Sequence, residues 1–133
     1  MTGAAENAGK FLPQVAPIEQ FGAGGFRLAG TSHQGALMVL PSGMRAWRPV
    51  LTADISAEDF AAVNAERQDI DFLIIGTGQT LQRLPPAVEV LLKGWGIAFE
   101  VMATSSAVHV YNVVVAERRR VAAVLLAVGE ANA

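Results

Sequence analysis

The sequence predicts a single α/β domain, and three observations carry that reading. Residues 72–128 hold three apolar runs separated by two segments of helix length. Residues 17–41 read instead as short strands joined by glycine-rich turns. The chain of 133 residues is 52% hydrophobic and 17% charged, enough for one buried core and too apolar for a disordered polymer.

The first stretch, Met1 to Ala16, is rich in alanine and glycine and is expected to be a flexible tail, with residues 17–133 forming the domain. The tail shows neither the basic start nor the apolar run of ~7–15 residues that marks a secretory signal. It also has no arginine, which a mitochondrial presequence would need, so the expected location is cytoplasmic. Ile18-Glu19-Gln20-Phe21 and Phe26-Arg27-Leu28 read as strands around the turn at Gly22, Gly24 and Gly25. The stretch from Gly30 to Gly35 reads as a second turn, before a strand over Ala36-Leu37-Met38-Val39-Leu40. Pro41-Ser42-Gly43 closes this meander, and Met44 to Pro49, with Trp47 between Arg45 and Arg48, fits another short strand. Ser56-Ala57-Glu58-Asp59 looks like a capped helix start, with Phe60, Ala61 and Val63 facing inward and an end near Arg67.

Phe72-Leu73-Ile74-Ile75 is a buried-strand pattern stopped by Gly76-Thr77-Gly78. Pro85-Pro86 sets a helix start, with Ala87, Val90, Leu91 and Leu92 at near-helical spacing and Gly94 and Gly96 at its end. A strand is expected over Ile97-Ala98-Phe99-Glu100-Val101-Met102 and another within the apolar run from Val121 to Val128. The segment between them is ambiguous. Thr104, Ser105 and Ser106 are good N-caps, but the valines at 108, 110, 113, 114 and 115 favour a strand by local propensity. A helix would bury Ala107, Tyr111, Val114 and Val115 on one face and place Arg118, Arg119 and Arg120 at its C-terminal end.

Several function classes are excluded. The net charge is −2, with no basic field beyond Arg118 to Arg120, which argues against nucleic acid. No apolar run approaches the ~20 residues of a membrane-spanning helix. The chain has no cysteine, so thiolate chemistry and disulfides are absent, and neither His33 nor His109 has a carboxylate at metal-ligand spacing. No cofactor or metal is expected.

Gly76-Thr77-Gly78 carries two glycines of a dinucleotide fingerprint. The third is missing, and the following helix starts too late to meet a pyrophosphate, so a structural turn is the plainer reading. Thr104, Ser105 and Ser106 suit either plain capping or an anion. If the strands ending at Gly76 and Met102 are parallel neighbours, Thr77, Gly78, Thr104, Ser105 and Asn112 would line one polar-rimmed crevice. Arg118 to Arg120 read either as a solvated helix end or as a docking patch for an acidic partner.

Met102, Thr104, Ala107, Tyr111-Asn112-Val113, Ala116-Glu117, and Arg119 followed by Val121-Ala122-Ala123 form an ordered pattern. With Gly76-Thr77-Gly78 and, upstream, Gly35, Pro41 and Trp47, it resembles a small family of unknown biochemical function that includes a mitochondrial assembly factor for respiratory complex I (NADH dehydrogenase). Ala103 stands where that family usually has an acid, and Val110 where it often has threonine. The resemblance implies a helix from about Ser105 to Glu117. It also implies a three-layer domain around a mixed central sheet, with helices on one face and a β-hairpin element plus a helix on the other. It implies a non-enzymatic interaction module that binds an assembly intermediate or partner protein, and leaves the oligomeric state open. The competing expectation is a small-molecule or anion binder, or an uncharacterised enzyme, using the crevice near Gly76–Gly78 and Thr104–Ser106. The candidate interaction residues are Gly76, Thr77, Gly78, Met102, Thr104, Ser105, Tyr111, Asn112, Glu117 and Arg119.

Overall fold

The computed structural model describes Leu12 and residues 15–129. The chain opens with an antiparallel meander, β1 (Ile18–Gly22), β2 (Gly25–Leu28) and β3 (Thr31–Gln34). A hairpin of β4 (Leu37–Leu40) and β5 (Gly43–Ala46) follows. Short 3-10 turns lead into α1 (Ala61–Ala65), then β6 (Phe72–Gly76), α2 (Pro86–Gly94), β7 (Phe99–Met102), α3 (Thr104–Ala116) and β8 (Val121–Leu125). The central sheet has the order β5-β4-β8-β6-β7. Strand β4 is antiparallel to β5 and β8, while β6 is parallel to β7 and β8, so the sheet is mixed.

Strand alternation divides the core. Met38 and Leu40, Leu73 and Ile75, and Ala122 and Val124 point to one face, where they meet Phe60, Val63 of α1, and Val88 and Leu92 of α2. Leu37 and Val39, Ile74, and Val121, Ala123 and Leu125 point to the other, where they meet Ala107, Val108, Tyr111 and Val114 of α3 and Ile18, Phe26 and Leu28 of the meander. Both faces of the central strands are covered, which is why β6 and β8 read as unbroken apolar runs. The three-layer arrangement implied by the resemblance is the one observed: two helices on one face, the meander and α3 on the other.

Helix α3 forms despite its valines because burial overrides propensity. Its buried residues, Thr104, Ala107, Val108, Tyr111 and Val114, recur at three- and four-residue spacing. Glu117 ends the helix, and Arg118 takes a left-handed φ of 60°.

Five local expectations are corrected. The span from Gly30 to Gly35 is not a turn throughout: the reversal uses Ala29 and Gly30, both at positive φ (49° and 71°), and releases Thr31–Gln34 to pair as β3. The helix expected from Ser56 is broken into a 3-10 turn, the short α1 and another 3-10 turn, and Ala61 is exposed. On α2 the inward residues are Val88 and Leu92, while Val90 is 70% exposed.

 Val90 itself points away from the sheet into solvent. The strand expected from Ile97 begins at Phe99, because Gly96 at φ 75° and the two residues after it carry the chain out of α2. None of Thr104, Ser105 and Ser106 is the N-cap of α3: that position is Ala103, and Thr104 is already the first helical residue.

Most of the tail expected over residues 1–16 lies outside the described residues. Within it, Leu12 exchanges two backbone hydrogen bonds with Met44 (3.3 and 2.9 Å), and Val15 and Ala16 pack against the core on the meander side.

Candidate functional site

The connections out of β6 and β7 diverge. The chain leaves β6, crosses one face through α2 and returns as β7; it then crosses the opposite face through α3 and returns as β8, on the other side of β6. The crossovers therefore part at the C-terminal ends of β6 and β8, where open α/β sheets leave a crevice. A hollow of about 440 Å³ lies there. Its walls are Thr77, Gly78, Gln79 and Gln82 after β6, residues 126–129 after β8, and residues 47–52 after β5.

The third wall is built from a tight polar clamp. Arg48 donates to both carboxylate oxygens of Asp59 (2.8 and 2.6 Å) and to the Asp54 carbonyl (2.6 Å). The Arg48 bond holds the Asp59 carboxyl below the usual carboxylate range, against the opposing effect of its burial. Trp47 donates its indole N–H to the Asp59 carbonyl (2.9 Å) and sets its ring edge-on to Phe60, with centroids 5.7 Å apart. The clamp holds residues 49–52 as a lip over the hollow. On that lip Val50 is 73% and Leu51 63% exposed, and Leu81, in the loop after β6, is 65% exposed.

The residues singled out from sequence do not form one crevice. Gly76 sits where a Cβ would stand 2.9 Å from the Thr104 hydroxyl and 3.0 Å from Leu125, so it is the close-packing residue between β6, β8 and α3. The Thr104 hydroxyl is fully buried. It accepts from the Gly78 N–H (2.9 Å) and donates to the Leu126 carbonyl (2.8 Å), while its own N–H bonds the Gly78 carbonyl. Thr77 is buried too, donating to the Thr80 carbonyl (2.8 Å) and accepting from the Gln82 N–H (3.0 Å). The Thr104 hydroxyl ties the loops after β6 and β8 to the start of α3, the Thr77 hydroxyl closes the loop after β6, and Thr77 and Gly78 line the hollow.

Ser105 and Asn112 lie elsewhere. With His109 they line a separate, more open hollow of about 880 Å³ between α3 and the meander, across from Phe21, Phe26 and Arg27. Asn112 is committed to β1: it accepts from the Ile18 N–H (2.8 Å) and donates to the Ile18 carbonyl (2.9 Å). Tyr111 is fully buried and donates to the Ala16 carbonyl (2.7 Å); burial pushes its phenol well above the usual range. Met102 is half-buried at the end of β7. Glu117 caps α3 through its backbone, bonding the carbonyls of Val113 and Val114. Arg119 sets its guanidinium 5.1 Å from the Phe72 ring centroid, and Arg120 pairs with Asp71 (3.0 Å). Among the described residues no group of three His, Cys, Asp or Glu side chains is placed to hold a metal, and no helix is long and apolar enough to cross a membrane.

Arg48, Asp59 and the Val50–Leu51 lip were missed in the sequence. Their only local signal is a pair of apolar residues after Arg48-Pro49 in a stretch that is neither strand nor helix.

Comparison with known proteins agrees with this architecture. A protein of Rhodobacter capsulatus with no assigned function is 36% identical over 110 residues, 83% of each chain. The NADH dehydrogenase [ubiquinone] 1 alpha subcomplex assembly factor 3 of Xenopus tropicalis is 31% identical over 109 residues; the match covers 82% of this chain and 60% of that protein. The crystal structure of a Bartonella henselae protein described as an outer membrane protein is 42% identical, with a TM-score of 0.83 over 88% of this chain and 98% of that one. The model of a protein family of unknown function, DUF498/DUF598, matches residues 18–126. This chain belongs to the DUF498/DUF598 family, which it enters with the complete three-layer fold and the hollow between β6 and β8.

Proposed function

We propose that this protein is a non-enzymatic interaction module that binds a partner protein or an assembly intermediate and holds it without turnover. The observation that carries the reading is the exposure of Val50 and Leu51 on the rim of the hollow at the C-terminal edge of the sheet. Large apolar side chains exposed side by side at a hollow mark interaction surfaces. The Arg48–Asp59 clamp maintains that exposure by fixing the lip from behind. The assembly-factor relatives support the same class; this chain matches about three fifths of the length of the Xenopus protein, so the role of the whole is part of the proposal. The proposed partner is a further assembly factor or a respiratory-complex subunit. The proposed location is the cytoplasm, with any membrane contact made through a membrane-bound partner.

The test is affinity purification from the native cell with mass spectrometry of co-purified proteins, comparing the wild type with Val50→Asp/Leu51→Asp. Both residues are exposed, so the variant is expected to melt like the wild type and to lose the partner. Unchanged recovery of the same partner would remove the lip from the interface, and recovery of no partner by the wild type would overturn the reading.

A further inference from the structure

A sheet edge is a row of unpaired backbone groups, and this fold treats its edges unequally. The meander ends at β1 and β3, and the central sheet at β5 and β7. At β1, Asn112 occupies both the N–H and the carbonyl of Ile18. At β5, Leu12 pairs with both backbone groups of Met44. Strand β3 is Thr-Ser-His-Gln, a polar edge with little to bury. Strand β7 is Phe-Glu-Val-Met, with Phe99, Val101 and Met102 half-buried.

The register of β7 decides which of its backbone groups are spent. Leu73 lies opposite Phe99, and its N–H bonds the Ala98 carbonyl; the Thr77 N–H bonds the Met102 carbonyl. In a parallel ladder this alternation turns Ala98, Glu100 and Met102 toward β6 and turns Phe99 and Val101 outward. By this pattern the ladder to β6 leaves the N–H and carbonyl groups of Phe99 and Val101 unused, on the side where β7 has no neighbouring strand. Phe99 and Val101 pack on the α2 side of the sheet. Glu100 is exposed on the α3 side, with no ion pair among the described residues. Helical spacing puts Val110 on the flank of α3 opposite Asn112, which faces the meander, and Val110 is half-buried there against the core.

We propose that β7 is a strand-addition site for a partner strand that carries a lysine or arginine opposite Glu100 between apolar neighbours. This goes beyond the partner-binding reading, because β7 does not line the hollow between β6 and β8. The backbone of Phe99 and Val101 supplies the ladder, and their half-buried side chains supply apolar surface for the added strand to cover. Glu100 sets the choice of partner. A centred antiparallel pairing with a second copy would place Glu100 directly opposite its equivalent, and like charges there repel. Shifting the register to avoid this leaves part of a four-residue strand unpaired. A basic residue in the added strand turns the same position into an attraction.

Two capped pentapeptides, Thr-Val-Lys-Val-Thr and Thr-Val-Glu-Val-Thr, titrated into the isotope-labelled protein and followed by NMR, test this directly. The lysine peptide is expected to shift the Phe99 and Val101 amides and slow their hydrogen exchange. The glutamate peptide should bind about fivefold more weakly, because it replaces a cross-strand attraction with a repulsion. Glu100→Lys, an exposed change that leaves the fold intact, should invert the preference. Equal binding of both peptides, no response at the two amides, or a wild-type dimer that already protects them would overturn the proposal. Failure of the partner reading is seen separately, as the absence of any partner in native-cell capture; the peptide titration does not depend on that result.

Discussion

Asn112 and Ile18, 94 residues apart in sequence, are joined by two hydrogen bonds: the Asn112 side chain accepts from the Ile18 N–H at 2.8 Å and donates to its carbonyl at 2.9 Å. One amide on α3 thus stands in for a neighbouring strand at the start of β1 and holds the meander over the sheet. Asn112→Ala removes both partners of a part-buried backbone unit and is expected to destabilise the fold by ~2 kcal/mol. Asn112→Asp keeps an acceptor for the N–H but opposes the carbonyl with a charge, and should also destabilise. Urea melts of the two variants check this; a wild-type midpoint for Asn112→Ala would show that the meander is held by its apolar contacts alone.

Tyr111 is the one tyrosine of the chain, so its ionisation can be followed by absorbance without interference. Burial raises its pKa in the folded state, which means that the folded protein keeps the proton after the unfolded chain has lost it. The sign follows: the stability tied to Tyr111 is complete below pH ~10 and falls as the pH rises further. The expected result is a tyrosinate signal that stays silent through pH ~10 and then appears together with unfolding. Tyr111→Phe should remove that contribution to alkaline sensitivity at a loss of ~1 kcal/mol for the bond to Ala16. Tyr111→Ala should lose ~3–5 kcal/mol, a large part of the stability of a small domain. A reversible tyrosine titration near its ordinary pKa in the folded protein would contradict the buried placement.

Helix α3 starts without a side-chain cap. Ala103 has the extended backbone of an N-cap residue (φ −63°, ψ 151°) but no oxygen to offer the N–H groups of the first turn. Ala103→Asp places a carboxylate at the positive end of the helix, where it can accept from the N–H groups two and three residues on. The expected gain is ~1 kcal/mol, read as a rise of a few degrees in Tm. A lower Tm would indicate that the half-buried setting of residue 103 desolvates the carboxylate by more than the cap returns.

The sequence by itself determined the local pieces whose signal is chemical and short-range. Phe72–Gly76 and Val121–Leu125 are unbroken apolar runs because both faces of a central strand are covered, and Pro86 opens α2 because its fixed φ suits a first helical turn. Where local signals conflicted, as in the valine-rich α3, propensity pointed to a strand; the helix stands because Ala107, Val108, Tyr111 and Val114 bury together on β6 and β8, a gain visible only with the sheet in place. Strand β3 was hidden for the same reason, since its polar residues pair through the backbone and need no apolar signature. The candidate site depended most on tertiary structure. Gly76, Thr77 and Thr104 carry a recognisable pattern, but their hydroxyls and close contacts are spent within the fold, closing the loop after β6 and joining it and the loop after β8 to α3. Ser105 and Asn112 are turned toward the meander by the helical period. The hollow between β6 and β8, its Val50–Leu51 lip and the open edge of β7 arise from strand order and crossover side, which no run of neighbouring residues encodes.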